Sequence, residues 1–266
     1  MKNKLGDKFK IKFDINNPDY LIYNVFGNEY LNENYKNSIK IAIFTENFIP
    51  NLNEADYAIG HSHINYLDRY FKYSIFLWKD FNNISHIRKK ILNNPIRNKF
   101  CAALISNSIT TDGFRLKFIE ELNKYKKIDM GGLYKNNVGG TIKNKIEFLS
   151  IYKFSISMEN SNGDGYISEK IVDSFISGTI PIYYGDYMVD EYVNPKSYIL
   201  IKGFKDIKDK LNYIKEIDND DKKYKNFLKE NVIVDNSFIE KIDKELKIFL
   251  RNIFEQDKMK AFRKNY

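Results

Sequence analysis

The sequence predicts an α/β protein, because short apolar runs alternate with amphipathic helical patterns along the chain. Its 266 residues suffice for one large domain or two small ones. A hydrophobic fraction of 43%, with 20 Tyr and 20 Phe, indicates a packed core and excludes a disordered polymer. The chain is therefore predicted to form layers of strands covered by helices.

The first part of the chain is mostly strand-like. Its candidate strands are Lys10–Phe13, Tyr20–Val25, Ile39–Thr45 and Tyr57–Gly60. The aromatic segment 66–80 shows neither the strand nor the helix period. Residues 81–98 mix charge, Asn and Pro95, which favours a short basic helix followed by a boundary. We expect an N-terminal lobe over residues 1–95 on this basis.

In the second part of the chain, the boundaries of helices and strands are easier to predict. Asp112 is a good helix cap and precedes an apolar stripe at helical spacing, consisting of Phe114, Phe118, Ile119, Leu122 and Tyr125. Further predicted elements are the strand Phe100–Ser106, the helix Lys143–Ser150, the strand Tyr152–Met158, the helix Glu169–Ser177 and the strand Thr179–Tyr184. Ser168 is the expected cap of the helix Glu169–Ser177, and Gly178 ends it. These elements make a C-terminal lobe over residues 96–236.

A last helix is predicted over residues 237–266. Ser237 followed by Glu240 spells a capping box after the charged turn 217–223. The apolar stripe of this helix is Phe238, Ile242, Leu246, Phe249, Leu250 and Ile253. Such a stripe needs a partner, and we expect it to pack back on the N-terminal lobe.

The composition limits which cellular environments and which binding partners are expected. The net charge of +8 favours anionic partners, namely nucleic acid, phosphorylated ligands or an acidic membrane surface. The single cysteine, Cys101, lies in the apolar run 100–105 and is expected to be a buried small hydrophobe. The sequence contains neither an apolar stretch of about 18 residues nor a signal-peptide core. A cytoplasmic protein, with peripheral contact to the inner face of a membrane as an option, is the expectation.

One strand–loop–helix–strand unit carries the strongest functional signal. The loop 160–166 follows the strand Tyr152–Met158, and ligands of parallel sheets bind at the carboxyl ends of strands. Gly163 and Gly165 allow close backbone approach, and the next helix offers free N–H groups to an anion. A diphosphate site is one interpretation, and a simple glycine-rich turn is the other.

Two basic residues occupy positions that are unfavourable for helix stability. Arg115 and Lys170 each fall in the first turn of a predicted helix, where the dipole favours acidic residues. A diphosphate between two helix N-termini would account for both. The alternative is two solvated surface cations.

The same segments resemble the donor-binding signature of the α1,3-fucosyltransferases, most closely the bacterial members. The motifs are Tyr152–Ser161, then Gly165–Ile171, then Thr179–Gly185. The resemblance covers roughly residues 39–205, and a weaker match lies in the stretch Phe44-Thr45-Glu46-Asn47.

The resemblance implies a role for each matching donor residue. Arg115 and Lys170 match the residues that neutralise the diphosphate of GDP-fucose. Glu169 matches the carboxylate that hydrogen-bonds the ribose. Asn160 and Tyr166 match residues that contact the phosphates or the fucose. A bidentate guanidinium and a compact ammonium suit the diphosphate oxygens chemically.

The resemblance also implies the reaction. Glu46 matches the proposed general base of an inverting, metal-independent transfer of fucose to a glycan hydroxyl, expected to be O3 of N-acetylglucosamine. The implied fold has two Rossmann-like lobes of GT-B type, and no cofactor beyond the donor substrate. The region before Tyr20–Val25 is shorter than in such enzymes, so the N-terminal lobe looks reduced. The acceptor, an oligosaccharide or glycoconjugate, is largely held by that lobe.

Several alternatives remain open at this point. The donor could be another nucleotide sugar, or the chain could bind nucleotide or glycan without catalysis. A nucleic-acid-binding protein would explain the charge, but no RNA-binding signature is present and no nucleic-acid partner is expected. The pair His61 and His63 is interpreted as a surface pair and not as a metal site. Asp218 and Asp220 are interpreted as a solvated turn, and the basic tail 258–264 as a frayed terminus that could alternatively touch anionic lipid.

Overall fold

The computed structural model describes residues 9–81, 83–94, 96–107, 113–161 and 163–264, without the side chain of Asn236. Asp112 and Pro95, which the sequence singled out as a helix cap and a boundary, lie outside these residues. Contacts divide the chain into two units. Unit 1 runs to Leu77 and includes Asp164–Tyr166 and the chain from Asp235 onward, whereas unit 2 comprises Trp78–Gly163 and Ile167–Val234.

The described residues form parallel strands and helices in alternation. The strands are β1 Tyr20–Tyr23, β2 Ile39–Ile43, β3 Tyr57–Gly60, β4 Tyr70–Lys72, β5 Lys99–Ala103, β6 Ile128–Met130, β7 Tyr152–Met158, β8 Ile180–Tyr184 and β9 Ile199–Leu200. The α-helices are α1 Ile84–Leu92, α2 Phe114–Asn123, α3 Lys145–Leu149, α4 Lys170–Ile176, α5 Ile207–Asn219, α6 Asp221–Lys229, α7 Asn236–Glu255 and α8 Lys258–Ala261. The predicted α/β class is confirmed.

Unit 1 contains a four-stranded parallel sheet over its described residues, in the order β1-β2-β3-β4. Its central strands β2 and β3 are almost fully buried and mostly apolar, although β2 includes the buried Lys40. The strand predicted at Lys10–Phe13 is wrong, because residues 10–13 pair with no strand and are exposed. Lysines alternate there with apolar residues, and neither face is covered. Strand β4 instead comes from the aromatic segment 66–80.

Helix α7 belongs to unit 1 and packs on its aromatic side chains. The Phe249 ring contacts the rings of Tyr57 and Phe71, at centroid distances of 6.3 and 5.4 Å. The Tyr73 hydroxyl donates to Asp243 at 2.6 Å. The predicted capping box is wrong, since Asp235 caps the helix and accepts from the backbone N–H of Ser237.

The basic tail is not a frayed terminus. Asp56, at the start of β3, is fully buried and accepts from the backbone N–H groups of Arg263 and Lys264. The Lys264 ammonium lies 3.2 Å from the same carboxylate and also donates to the carbonyl of Ser38 at 2.9 Å. A buried carboxylate requires such partners. The tail is thereby tied to the start of the sheet.

Unit 2 contains a five-stranded parallel sheet over its described residues, in the order β6-β5-β7-β8-β9. From β5 the chain moves outward to β6, and from β7 it moves the other way, to β8 and β9. The pair β5 and β7 is therefore the point where the winding direction reverses, and a crevice forms there in doubly wound sheets. The predicted parallel pairing of β7 with β8 is confirmed in register from Phe154 with Ile180 to Met158 with Tyr184.

Two predictions about individual residues of unit 2 are also confirmed. Cys101 is a buried member of the sheet core, and burial raises the pKa of its thiol. Gly178 ends α4 with a φ of +72°, a conformation that glycine adopts without the Cβ penalty. No α-helix in the described part of the chain is long and apolar enough to cross a bilayer.

The segment 217–223 is not a solvated turn. It comprises the end of α5 and the start of α6, where Asp220 caps α6 by accepting from the N–H groups of Lys222 and Lys223. The Asp218 carboxylate is 2% exposed and pairs with the Lys153 ammonium at 3.1 Å. Burial acts to raise the pKa of Asp218, but hydrogen bonds from Lys126, Lys153 and Tyr125 outweigh it and lower the pKa.

We expect Asp218→Ala to lower the free energy of unfolding by about 3–5 kcal/mol, because it leaves the buried Lys153 ammonium without its carboxylate. The folded-state pKa of Asp218 is depressed, so this stabilisation is present at neutral pH and is lost as the pH falls through that pKa. Asp220→Ala, the matched control, removes only a helix cap and should cost about 1 kcal/mol. Chemical denaturation at neutral and acidic pH measures both, and equal losses would contradict the buried-pair assignment.

Candidate active site

A cleft of about 100 Å³ lies in unit 2 at the carboxyl ends of β5 and β7. It is placed where the winding of the sheet reverses, as the topology requires. The apolar part of its wall consists of Leu104, Ile105, Leu149, Ile156 and Met158. The charged part consists of Arg115, Lys145, Glu169, Lys170 and Asp173. Three cations and two carboxylates thus surround one small space.

Arg115 is a buried cation near the start of α2. Gly113 precedes the helix with a φ of +67°, which turns the chain so that Arg115 enters the first turn. The residue is only 4% exposed, and its guanidinium donates from Nη2 to the carbonyl of Asn107 at 2.5 Å. The alternative of a solvated surface cation is wrong for Arg115.

Lys170 is held by a carboxylate that the sequence interpretation gave no role. Glu159, the residue after β7, has a fully buried side chain, and its Oε2 lies 2.9 Å from the Lys170 ammonium. The ammonium is 28% exposed and also donates to the Ser168 hydroxyl at 3.0 Å. An unpaired carboxylate at this depth would be costly, so the pair fixes both groups.

The Ser168 hydroxyl accepts from the backbone N–H of Lys170 at 3.4 Å, as the predicted cap would, but its shorter contact is to Glu159. The hydroxyl donates to Glu159 Oε2 and the Ser168 backbone N–H donates to Glu159 Oε1, both at 2.8 Å. The N-cap position of α4 is Glu169, which makes no side-chain capping bond. The Glu159 carboxylate therefore occupies the place at the start of α4 where the sequence predicted a bound anion. It satisfies the local donors with a charge from the protein itself.

A second charged group lies one turn further along α4. Asp173 is 3% exposed, and its two oxygens lie 2.7 Å from Lys79 Nζ and 2.8 Å from Lys145 Nζ. The Lys145 ammonium also lies 3.5 Å from Glu169 Oε1. Burial acts to raise the pKa of Glu169, but the charges of Lys170, Lys145 and Lys79 help to outweigh it, and the pKa is lowered. Glu169 is thus an ionised carboxylate at neutral pH.

Lys145 is charged for the complementary reason. Partial burial acts to lower its pKa, but the hydrogen bond and charge of Asp173, together with the charge of Glu169, raise it above the ordinary lysine value. Spacing could have suggested the pairing on α4, because Glu169 and Asp173 are four residues apart and share a helix face. No pattern in the sequence linked either to Lys145.

In unit 1, the segment Asp164–Tyr166 packs against the ends of the strands. The Tyr166 hydroxyl lies 3.4 Å from Glu46 Oε2, and the Tyr166 ring meets the His61 ring edge-on at 5.1 Å. The carbonyl of Gly165 accepts from the Ser74 hydroxyl at 2.9 Å. A Cβ on Gly165 would come within 2.0 Å of the His61 carbonyl oxygen, and its φ is +81°. Only glycine fits this close approach.

His61 and His63 have different surroundings. His63 is exposed and lies 3.2 Å from the Lys72 ammonium. His61 is 3% exposed and faces Tyr166, so the predicted surface pair is wrong for His61. The residue follows β3 directly, where the chain turns inward. Among the described residues, no three His, Cys, Asp or Glu side chains group in a way that could hold a metal ion.

The structure brings together part of the predicted site. Arg115, Glu169 and Lys170 line the same cleft of unit 2. Asn160 belongs to unit 2 as well, and its side-chain oxygen is buried without a hydrogen-bond partner among the described residues. Glu46 and Tyr166 belong to unit 1, where they lie close to each other.

Comparison with known proteins decides the family. Residues 94–247 match the family described as glycosyltransferase family 10 (fucosyltransferase) C-term. Residues 1–79 match the family described as alpha-(1,3)-fucosyltransferase FucT N-terminal domain. The chain belongs to glycosyltransferase family 10. The cleft residues all fall within the first match and Glu46 within the second.

Relatives of this glycosyltransferase family 10 chain agree in sequence and fold. The alpha-(1,3)-fucosyltransferase FucT of Helicobacter pylori is 30% identical over 283 residues, covering 91% of this chain and 59% of the relative. The chain thus spans less than two thirds of that protein's length. A crystal structure of an α1,3-fucosyltransferase matches with a TM-score of 0.76 and 28% identity, covering 90% of this chain and 78% of the other.

A further crystal structure, of an α1,3-fucosyltransferase with GDP-fucose, matches this family 10 chain with a TM-score of 0.70 and 28% identity. The match covers 84% of this chain and 76% of the other. Together these likenesses confirm the predicted GT-B class.

We expect Glu159→Gln to lower the free energy of unfolding by about 1.5–3 kcal/mol, the range for a hydrogen bond to a charged group. The variant keeps the shape of the side chain but removes the charge that Lys170 faces. The matched control is Glu216→Gln, because the exposed pair of Glu216 and Lys223 has a similar length of 2.8 Å. Water screens that pair, so its loss should leave stability nearly unchanged. Urea denaturation compares them, and equal effects would argue against the buried Glu159 pair.

Proposed function

We propose that this chain is an inverting α1,3-fucosyltransferase that moves fucose from GDP-fucose to a glycan hydroxyl, O3 of N-acetylglucosamine. The observation that carries the proposal is the cleft at the β5 and β7 ends, where Arg115, Glu169 and Lys170 meet. These residues have the chemistry that a nucleoside diphosphate needs, namely cations for the phosphates and a carboxylate for the ribose.

Arg115 is assigned to the departing diphosphate. Its guanidinium is buried in the cleft and donates to the Asn107 carbonyl, and a planar guanidinium can present paired N–H donors to phosphate oxygens. Negative charge grows on the diphosphate as the bond to fucose breaks, and a fixed cation stabilises that transition state. Lys170 is assigned to the same phosphates as a point charge, held ready by Glu159.

Glu46 is assigned as the general base. Inversion requires the acceptor hydroxyl to attack the face opposite the leaving group and to give up its proton. The hydroxyl becomes acidic as its oxygen bonds to the sugar, so a carboxylate suffices. The Tyr166 hydroxyl at 3.4 Å supports this role, because it limits the orientation of the Glu46 carboxylate.

The proposal includes no metal or other cofactor. Arg115 and Lys170 supply the positive charge that a divalent cation would otherwise bring to the diphosphate. Peripheral membrane contact, a cytoplasmic location and a glycan or glycoconjugate acceptor belong to the same proposal. The net charge of +8 favours anionic surfaces in general and supports the membrane contact.

Transfer from GDP-fucose to a panel of N-acetylglucosamine-containing glycans, with the product linkage determined, tests the proposal. We expect an α1,3-linked product in the presence of EDTA. Loss of activity in EDTA with recovery on adding Mg²⁺ or Mn²⁺ would contradict the metal independence. Thermal shifts with GDP, UDP and CMP test the donor, and stabilisation by UDP or CMP alone would point to another nucleotide sugar.

Arg115→Ala is expected to weaken GDP binding roughly 10- to 100-fold, the equivalent of losing charge-assisted hydrogen bonds. Turnover of GDP-fucose should fall as well, because the same contact stabilises the leaving group. Lys117→Ala, on an exposed position of the same helix, is the control and should bind GDP normally. Calorimetry measures the binding. Wild-type affinity in the Arg115 variant would remove this residue from the phosphate site.

Glu46→Gln should reduce transfer by roughly 10²- to 10⁴-fold while leaving GDP affinity unchanged, because it removes only the proton acceptor. Glu54→Gln is the control, since Glu54 lies in the same unit and accepts from the Tyr30 hydroxyl at 2.7 Å. Initial rates and GDP calorimetry are needed for both variants. A fully active Glu46→Gln protein would refute the base assignment.

A further inference from the structure

Lys145 lines the cleft, but the proposed function gives it no contact with the donor. It is the first residue of α3, where the helix dipole disfavours positive charge. Its ammonium lies 2.8 Å from Asp173 Oδ2 and 3.5 Å from Glu169 Oε1. The side chain thus bridges two carboxylates that stand one turn apart on α4.

Asp173 holds one side of the Lys145 ammonium in a fixed position. Its carboxylate is 3% exposed, and its second oxygen is held by the Lys79 ammonium at 2.7 Å. A buried carboxylate with an ammonium on each oxygen has little freedom to turn, because breaking either contact strands a charge at low dielectric. Lys145 is therefore anchored on one side. Glu169, on its other side, is more exposed at 29% and would otherwise be free to change rotamer.

We propose that Lys145 is a positioning residue for the donor ribose, acting through Glu169. The inference rests on the proposed function, in which Glu169 binds the ribose of GDP-fucose. Lys145 contacts Glu169 Oε1, so the ribose hydroxyl is assigned to Oε2. Lys79 and Asp173 hold Lys145, Lys145 orients Glu169, and Glu169 accepts the hydroxyl hydrogen bond. Charged side chains from three segments of unit 2 thus orient one carboxylate oxygen toward the ribose.

The test compares the binding of GDP, 2′-deoxy-GDP and 3′-deoxy-GDP by calorimetry. The wild-type chain should prefer GDP over at least one deoxy analogue by roughly 10-fold or more, as a hydrogen bond to a charged group gives. Lys145→Met should reduce this preference to about twofold or less, since Glu169 is no longer aimed at the ribose. Glu169→Gln should reduce it similarly, and the double variant should show no further loss.

Matched variants separate positioning from folding. Lys145→Arg keeps a cation between the two carboxylates and should restore most of the preference for GDP. Lys79→Met releases only the far oxygen of Asp173 and should cause an intermediate loss. Lys117→Met, an exposed lysine of the same unit, should behave as wild type. A general loss of structure would weaken all three nucleotides equally and could not produce this order.

Three results would overturn the inference. A Lys145→Met protein that binds GDP more weakly but keeps the wild-type preference would make Lys145 a direct phosphate contact. A wild-type chain that binds GDP and its deoxy analogues equally would remove the ribose contact while leaving the proposed donor intact. A wild-type chain that does not bind GDP at all would overturn the donor assignment and this inference together.

Discussion

The charge of Glu159 is the constraint on which the proposed donor cleft depends. Its carboxylate is buried at the end of β7 and cannot remain there without donors. Two donors come from Ser168 and the third from Lys170, so the start of α4 is drawn to the end of β7. One buried charge therefore sets where the helix begins, which way Lys170 points and how the cleft wall is formed.

The middle of the loop after β7, residues 164–166, is constrained by close packing in unit 1. Residues 164–166 belong to unit 1, whereas both ends of the loop belong to unit 2. Gly165 fits against the His61 carbonyl only because it has no side chain, and Tyr166 is then 3% exposed beside Glu46. This loop thus carries Asn160 in unit 2 and, in unit 1, Tyr166, the neighbour of the proposed base Glu46.

Local patterns predicted most of the sheet strands and the start of the site, but not the long-range charge pairs. The strands around Ile41 and Phe154 could be predicted because mostly apolar runs are typical of buried parallel strands. Asp218 and Lys264 were misread as solvated, since their partners lie 65 and 208 residues away in sequence. Such pairs depend on tertiary packing, and no local propensity encodes them. The pairing of Lys145 with Asp173 and Glu169 was missed for the same reason.

The lysine charges of the cleft are partly balanced by carboxylates of the protein, and this balance has a chemical consequence. Lys170 faces Glu159, and Lys145 faces Asp173 and Glu169, so much of their attraction for an incoming anion is already cancelled. A diphosphate entering the cleft would have to share Lys170 with Glu159, and Lys145 with Asp173 and Glu169. In the proposed reaction, such partly balanced cations would bind the leaving nucleotide less tightly than bare cations, which would favour its release after transfer.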